Sequence, residues 1–271
     1  MLRLAWFTTG RGSGSRRLFS FVKSEIEAEK LDASMEFVFC NREFGETEIT
    51  DGFLRLVQNS GVPLVTFSSR RFRREHGGGP FSDHRIQFHK AVLDRISSYQ
   101  PDVCVFSGYM LFTGPEIVDQ YQTINLHPAL PWAAEGTYQQ VIWKLIQDRS
   151  MESGVTIHVA TEVLDDGAPL SYCTYPIRGP EFDDLWTGVE GVPIAQLMSE
   201  GEAQPLFAAI RRHGALREAP LLIETLRSLA NGRVRIVDGR VVDAQCAETG
   251  GLCLDKEVEC ALADGGCGST I

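Results

Sequence analysis

The sequence lacks a long hydrophobic run. Nowhere among its 271 residues does an apolar stretch approach the roughly 18 consecutive residues that a membrane-spanning helix requires. The apolar segment at the start, residues 1–8, is too short for a secretory signal and leads directly into glycines. We therefore expect no membrane partner and no secretory leader, and we predict a cytoplasmic protein.

An excess of positive charge is also missing. The 26 lysines and arginines are outnumbered by 36 acidic residues, which gives a formal net charge of −10. Because proteins that bind nucleic acid generally present a basic face, we expect no nucleic-acid partner. The seven cysteines lack the density of a secreted disulfide scaffold, and none belongs to the C-x2-C pair of a zinc knuckle. We therefore predict a reduced protein with no bound metal.

What the sequence does contain is an alternation of strand-like and helix-like segments. Short apolar segments rich in strand-forming residues alternate with segments whose apolar residues recur at helical spacing. The predicted strands are 2–8, 35–40, 63–67, 103–106, 124–128, 154–159 and 172–177, and the predicted helices are 18–26, 53–58, 83–98, 137–149, 205–213 and 220–230. An Asp-Gly turn within 233–242 predicts a β-hairpin. The alternation predicts an α/β fold with a doubly wound, parallel sheet.

Two segments break this alternation. Residues 68–83 contain four arginines followed by three glycines, and we interpret them as a long basic loop; the arginines are Arg70, Arg71, Arg73 and Arg74. Residues 246–271 are rich in glycine and acidic residues, and we expect an acidic tail that buries little surface outside a domain at 1–245. Its four cysteines are spaced seven residues apart, which leaves a metal-bound tail as the opposing hypothesis; they are Cys246, Cys253, Cys260 and Cys267.

The first candidate site is the glycine-rich loop after the first strand, which contains Gly10, Arg11, Gly12 and Ser13. A helix that begins in such a loop presents backbone N–H groups and the positive end of its dipole to an anion. The spacing matches neither the dinucleotide-binding fingerprint nor the Walker loop. A phosphate site and a purely structural turn therefore both stay open.

The second candidate site is the Asn-x-His-Pro sequence formed by Asn125, His127 and Pro128. Side chains two residues apart lie on the same face of a strand, and the proline ends that strand. Both polar groups should therefore lie at the carboxyl end of a strand, where open α/β sheets bind ligands. An amide donor beside an imidazole can stabilise an oxyanion, although a structural polar pair would give the same pattern.

The third candidate site is a polar turn that contains Asp165, Asp166 and Gly167. A carboxylate in such a turn can orient a histidine and move its proton, but ordinary turns also favour these residue types. His158 precedes this turn, in a predicted strand, and we interpret it as a structural residue.

Together these segments resemble the folate-dependent formyltransferase family over residue 1 to about residue 243. The resemblance rests on Thr-Gly-Arg-Gly-Ser at 9–13, Pro-Asp-Val-Cys-Val-Phe-Ser-Gly-Tyr-Met at 101–110, Asn-Leu-His-Pro at 125–128 and Leu-Asp-Asp-Gly at 164–167. Each piece is common by itself. The specific feature is the combination of Asn-x-His-Pro with an Asp-x-Gly turn 38 residues after His127.

The resemblance implies a mixed, mostly parallel α/β domain with a Rossmann-like half at about 1–100 and a catalytic half at about 101–245. It implies 10-formyltetrahydrofolate as the cosubstrate and a small phosphorylated amine as the acceptor, above all glycinamide ribonucleotide in purine biosynthesis. Asn125 would donate to the formyl oxygen and His127, as imidazolium, would stabilise the oxyanion. Asp165 would hold His127 and assist proton movement from the amine.

The resemblance also implies two binding segments. The acceptor phosphate would bind at Gly10, Arg11, Gly12 and Ser13, and the folate would bind, mostly through backbone groups, beside Asp165 and at Tyr109, Met110, Leu111 and Phe112. The chain departs from the family pattern at Leu111, where an arginine is common, and in the loop at 70–80. A sugar-amine acceptor and a non-catalytic ligand-binding paralogue therefore stay open, as do a monomer and a homodimer.

Overall fold

The computed structural model of the chain describes residues 1–111, 114–133, 136–163 and 165–265. The strands in these ranges are β1 (Leu2–Thr8), β2 (Ala33–Cys40), β3 (Leu64–Thr66), β4 (Val103–Phe106), β5 (Thr123–His127), β6 (Glu152–Val159), β7 (Pro169–Pro176), β8 (Val234–Val237), β9 (Arg240–Asp243) and β10 (Leu252–Cys253). The helices are α1 (Ser13–Glu27), α2 (Glu48–Asn59), α3 (Ser69–Glu75), α4 (Arg85–Ile96), α5 (Pro115–Val118), α6 (Tyr138–Gln147), α7 (Asp183–Gly188), α8 (Ile194–Ser199), α9 (Pro205–Ala230) and α10 (Asp255–Ala263), with 3₁₀ turns at Phe81–His84 and Gly201–Ala203.

Eight strands form one mixed sheet in the order β10-β7-β6-β5-β4-β1-β2-β3, and β8 pairs with β9 as a hairpin. The run from β5 through β4, β1 and β2 to β3 is parallel throughout. Strand β6 is antiparallel to β7, and β10 is parallel to β7. The predicted α/β class with a mixed, mostly parallel sheet is therefore confirmed, and so is the hairpin.

The chain divides into two compact units. The first contains Met1–Asn125, Val159–Ala168 and Leu226–Glu248, and thus the glycine loop, the parallel strands and the hairpin. Its core is an aromatic cluster in which Phe7 lies at the centre, with ring centroids 5.3 Å from Phe39 and 5.5 Å from Phe106. Contacts between aromatic rings stabilise a fold by more than their buried area alone would. This cluster therefore fixes the strands whose carboxyl ends carry the candidate residues.

The second unit contains Leu126–His158, Pro169–Thr225 and the residues from Thr249 onward. Gly154 allows the backbones of β6 and β7 to pack closely, because a Cβ on it would lie 2.5 Å from the carbonyl oxygen of Cys173. Gly214 within α9 likewise lies against Tyr175, whose Oη would be 2.9 Å from an added Cβ. These close approaches explain glycines that look unremarkable in the sequence.

The structure corrects the predicted basic loop at 68–83. Residues Ser69–Glu75 form α3, whose N-terminus is capped by Ser68, since the Oγ accepts a hydrogen bond from the backbone N–H of Arg71 at 3.0 Å. Phe72 is buried, and Arg73 and Arg74 lie in the last turn, where positive charge favours the helix dipole. Only the glycines after this helix form the loop.

The two predicted helices at 205–213 and 220–230 are in fact one helix, α9, with Pro220 inside it. Proline normally interrupts a helix because it lacks an N–H and collides with the preceding turn. Here the flanking residues Ala219, Leu221 and Leu222 are fully buried, and their packing outweighs the lost hydrogen bond. The short helices α7 and α8 were not predicted, because the apolar residues in these segments show no helical period.

The segment after Cys246 also differs from the expected tail. Residues Leu252–Cys253 add a strand beside β7, and α10 follows at once, with Leu254 and Val258 fully buried. The Asp255 carboxylate accepts hydrogen bonds from the N–H and the hydroxyl of Thr174, both at 2.7 Å. The segment therefore contributes core contacts to the second unit. Cys267 lies outside the described residues.

Within the described ranges, no helix combines the length and the apolar composition that crossing a bilayer would demand. The same ranges contain no group of three or more His, Cys, Asp or Glu side chains arranged to hold a metal ion.

Candidate active site

The glycine loop connects β1 to α1 in the first unit. Gly10 has a φ of +65°, and a Cβ there would lie 3.2 Å from Phe53, so both the backbone and the space favour glycine. Gly12 is the N-cap of α1 and provides no side-chain cap, and the first turn contains no acidic residue. Arg11, Gly12 and Ser13 are exposed. An accessible helix N-terminus of this kind favours an anion.

Positive charge accumulates beside this loop at the end of β2. The Arg42 guanidinium is buried, and its Nη1 donates to Ser69 Oγ at 2.7 Å. Its Nε lies 3.5 Å from Glu46 Oε2, and Arg70 lies 4.0 Å from the same oxygen. Burial and then the charge of Arg70 lower the pKa of Arg42, with a smaller contribution from Arg11. The Glu46 carboxylate is thus shared by two arginines, while the neighbouring Glu43 pairs with Arg71.

Asn125 and Asp165 lie together in the first unit. Asn125 is at the carboxyl end of β5, and its Nδ2 donates to Asp165 Oδ1 at 3.4 Å. Asp165 has a φ of +56°, a left-handed conformation that costs free energy in a non-glycine residue and often marks a functional site. Asp165 is half-buried while Asp166 is exposed. The geometry therefore separates the two carboxylates that the sequence left ambiguous.

His127 ends β5 and is buried in the second unit, with 9% of its surface exposed. Its ring centroid lies 6.3 Å from that of His158, in an edge-to-face arrangement. His158 is likewise buried, on β6. The sequence indicates a structural role for His158. The alternation of residues along 154–159 does not predict that His158 lies near His127.

The segment predicted to bind folate follows β4 in the first unit. Tyr109 directs its ring into the aromatic cluster, 5.8 Å from Phe7, and burial raises the pKa of its hydroxyl. Met110 is 68% exposed, and Leu111 packs partly against the cluster. Phe112 lies outside the described residues. Among the described residues 109–111, the side chain of Met110 is the most exposed to a ligand.

Two residues that the sequence did not single out connect the glycine loop to this segment. Thr9 is fully buried; its N–H donates to the Gly108 carbonyl at 3.0 Å, and its Oγ1 accepts from the Met110 N–H at 2.9 Å. Asn41, with its amide oriented to satisfy its neighbours, donates to the same Oγ1 at 2.9 Å.

A cavity of about 540 Å³ lies in the second unit, away from every predicted site residue, and its lining includes Arg149, Arg178, Asp183, Trp186 and Glu190. The Arg178 guanidinium stacks 3.6 Å from the Trp186 ring and donates to the Arg149 carbonyl at 2.9 Å. These contacts hold the arginine against the cavity wall, and none of the residues of the three sequence motifs lines this cavity.

The sequence is similar to those of known proteins. Residues 3–181 match the formyl transferase family. Phosphoribosylglycinamide formyltransferase of Saccharomyces cerevisiae is 32% identical over 93 residues, which cover 32% of this chain and 44% of that enzyme. The match therefore spans less than half the length of that relative. The Escherichia coli enzyme of the same name is 24% identical over 188 residues, which cover 67% of this chain and 77% of that protein.

The fold is also found among solved structures. Glycinamide ribonucleotide transformylase 1 from Symbiobacterium toebii superposes with a TM-score of 0.62 at 18% identity, covering 89% of this chain and 93% of that one. Because the family match alone extends over well more than half of the sequence, this chain belongs to the formyl transferase family.

Proposed function

We propose that the protein transfers the formyl group of 10-formyltetrahydrofolate to the amine of glycinamide ribonucleotide, a step of purine biosynthesis. Membership of the formyl transferase family supports the reaction type, and the names of the sequence relatives support the acceptor. The structural observation that carries the proposal is the hydrogen bond between Asn125 and Asp165 at the carboxyl end of β5. That end of a strand is where α/β sheets bind ligands.

Asn125 is suited to bind the formyl oxygen. A side-chain amide has two N–H donors, and Asp165 accepts one of them, which fixes the amide plane. In the proposed reaction this amide donates an N–H to the formyl oxygen as negative charge develops on it. A donor held in place before the reaction stabilises an oxyanion without reorganisation at the moment of reaction.

His127 and Asp165 are suited to the charges and protons of the transfer. The amine forms a bond to the formyl carbon and loses a proton, the bond from that carbon to N10 breaks, and N10 gains a proton. His127, as imidazolium, would stabilise the oxygen anion, and Asp165 would assist removal of the amine proton. Side chains of these types commonly act as general acids and bases.

The acceptor phosphate is proposed to bind at Gly10, Arg11, Gly12 and Ser13. The exposed N-terminus of α1 supports this assignment, because its first turn has neither a side-chain cap nor an acidic residue. Arg42 supports it as well, because it lies close enough to Arg11 for the two charges to interact, in a chain whose net charge is −10.

The folate is proposed to bind along residues 109–112, with the turn at Asp165 beside it. The exposed Met110 provides an apolar surface, and the backbone of this segment provides hydrogen-bonding groups. The family commonly has an arginine at the position of Leu111. This chain therefore lacks a cation there that could pair with a carboxylate of the folate. We therefore expect the donor to be bound more by its ring than by its charged tail.

An acceptor panel tests the proposed function. The protein is incubated with 10-formyltetrahydrofolate and glycinamide ribonucleotide, an amino sugar nucleotide or no acceptor, while tetrahydrofolate, formate and the formylated amine are quantified. We expect stoichiometric tetrahydrofolate and formylated glycinamide ribonucleotide. Preference for the amino sugar would change the acceptor, formate without acceptor would indicate hydrolysis, and no turnover with measurable ligand binding would indicate a non-catalytic paralogue.

A further inference from the structure

His89 is a buried polar residue that the proposed reaction does not use. It lies on α4 with no exposed surface, among the rings of Phe81, Phe88 and Tyr109, with centroids between 5.6 and 6.3 Å away. An apolar side chain would fill such a place without having to satisfy polar atoms. Burying an imidazole costs free energy unless its nitrogens are hydrogen-bonded.

Both nitrogens of His89 are hydrogen-bonded. Nδ1 accepts from the backbone N–H of Gly114 at 3.3 Å, and this donor places the imidazole proton on Nε2. Nε2 then donates to Tyr109 Oη at 3.2 Å. Burial lowers the pKa of His89 to about 4, so the ring is neutral at physiological pH and Nδ1 can accept.

The two partners of His89 bracket one segment of chain. Tyr109 begins the segment proposed to bind folate, and Gly114 follows it directly before α5. From the other side, Thr9 holds Gly108 and Met110 through the two hydrogen bonds described above. Gly108 itself has a φ of +65°, and a Cβ there would lie 2.3 Å from Ser15 Oγ. Gly108, Tyr109, Met110 and Gly114 are therefore each held by a hydrogen bond with His89 or Thr9.

We propose that His89 is a positioning residue for the formyl donor, which holds Tyr109 and Gly114 so that the backbone groups of residues 109–111 stand ready for folate. This inference rests on the proposed function. A segment ordered in advance binds its ligand without paying the entropy of ordering at that moment. The contribution of His89 should therefore appear in donor affinity and leave acceptor affinity unchanged.

The test compares His89→Leu, His89→Gln and Phe88→Leu. Loss of two neutral hydrogen bonds in His89→Leu should raise the KM for 10-formyltetrahydrofolate about fivefold to twentyfold, with a change below about twofold in the acceptor KM. His89→Gln retains an amide donor and an acceptor and should restore part of the donor affinity. Phe88→Leu loosens the same cluster without removing a hydrogen bond, and should lower Tm while leaving the donor KM unchanged.

Three outcomes would overturn the inference: equal increases in both KM values for His89→Leu, no increase in either, or a Phe88→Leu donor KM as high as that of His89→Leu. Calorimetric titration with tetrahydrofolate measures donor affinity independently of turnover. A wild-type protein that binds tetrahydrofolate but formylates no acceptor would contradict the proposed function and leave the test of His89 intact. If wild type and His89→Leu bind tetrahydrofolate equally, the positioning role is wrong.

Discussion

Asp165 combines a left-handed backbone conformation with a hydrogen bond to Asn125. Asparagine tolerates a positive φ at least as well as aspartate does, so Asp165→Asn changes the chemistry without adding backbone strain. We expect kcat to fall by about 10²-fold to 10⁴-fold, the range typical of a general acid or base, with Tm unchanged. His127→Ala should have a similar effect. Steady-state kinetics and thermal unfolding of both variants check this.

The matched control is Asp166→Asn. Asp166 is the exposed neighbour in the same turn, and replacing it should alter kcat by less than about threefold, as for a surface substitution away from the reacting groups. If Asp166→Asn were the more damaging substitution, the proton-transfer role would belong to Asp166, and the Asn125 contact would be structural.

Sequence reasoning identified residues whose chemistry is expressed in their type and spacing. Asn125 and Asp165 were expected at one site, and the structure brings them into contact. It did not identify the contacts of Thr9, Asn41 or His89, because these depend on partners that are distant in sequence, as with Thr9 and Met110, which are 101 positions apart. Nothing in a local pattern distinguishes a buried polar residue with two distant partners from an exposed one.

His89 should also give stability a measurable pH dependence. Its pKa is about 4 when folded and 6.5 in an exposed chain, and burial is the main cause, with Arg85 on the same helix contributing. The unfolded chain binds the proton more readily, so this stability is complete above about pH 6.5 and is lost as the pH falls towards 4. The full shift corresponds to about 3 kcal/mol.

Urea unfolding of wild type and His89→Leu, each at about pH 7 and about pH 4.5, measures this dependence. We expect the difference in unfolding free energy between the two pH values to be smaller in His89→Leu. An identical pH dependence in both proteins would mean that His89 titrates normally in the folded state.

At the level of elements, the connection from β1 to α1 carries the proposed phosphate site. Gly12 has an ordinary φ of −111°, and a Cβ there would approach only Gly14 N, at 3.9 Å, so the fold accommodates Gly12→Val. The added side chain would stand over the helix N-terminus. We expect the acceptor KM to rise about fivefold, which corresponds to roughly 1 kcal/mol of helix-terminus interaction, with the folate KM unchanged.

Gly250→Val serves as the control for this loop substitution. Gly250 also has open space around it, but it lies far along the chain, between β9 and β10, so both KM values should equal those of wild type. Equal increases in the acceptor and folate KM for Gly12→Val would contradict phosphate binding at this loop.

Helix α10 is where the expected tail and the structure differ most. A tail would tolerate any substitution, whereas Leu254 is fully buried and its N–H donates to the Tyr172 carbonyl at 2.9 Å. We expect Leu254→Ala to reduce the unfolding free energy by about 2 to 4 kcal/mol, as for other buried leucines. Cys260→Ala, at an exposed position of the same helix, should have no effect. Chemical denaturation distinguishes the two results.

The elements that sequence reasoning missed share a physical cause. Strands of β-branched and aromatic residues and helices with a regular apolar face were predicted, because burial imposes those periods. Helix α9 was divided at Pro220 because local propensity favours a break, while tertiary packing of Leu221 and Leu222 maintains the helix. Helix α10 was missed because its segment is rich in glycine, cysteine and acidic residues. Leu254 and Val258 lie one helical turn apart and are buried, but two apolar residues do not establish a helical period.

At the scale of the whole molecule, composition and function agree. A chain with a net charge of −10 concentrates Arg42 and Arg70 beside one glycine loop, which suits an anionic small molecule better than an extended polyanion. The first unit carries this loop, Asn125 and Asp165, and the second carries His127.

The most direct measurement follows an isotopic label in the formyl group of 10-formyltetrahydrofolate during reaction with glycinamide ribonucleotide. We expect the label to appear on the acceptor amine, in a one-to-one ratio with released tetrahydrofolate, and Asp165→Asn to slow its appearance by at least about 10²-fold. Label that appears as formate, or transfer to the acceptor that is undiminished in Asp165→Asn, would contradict this expectation.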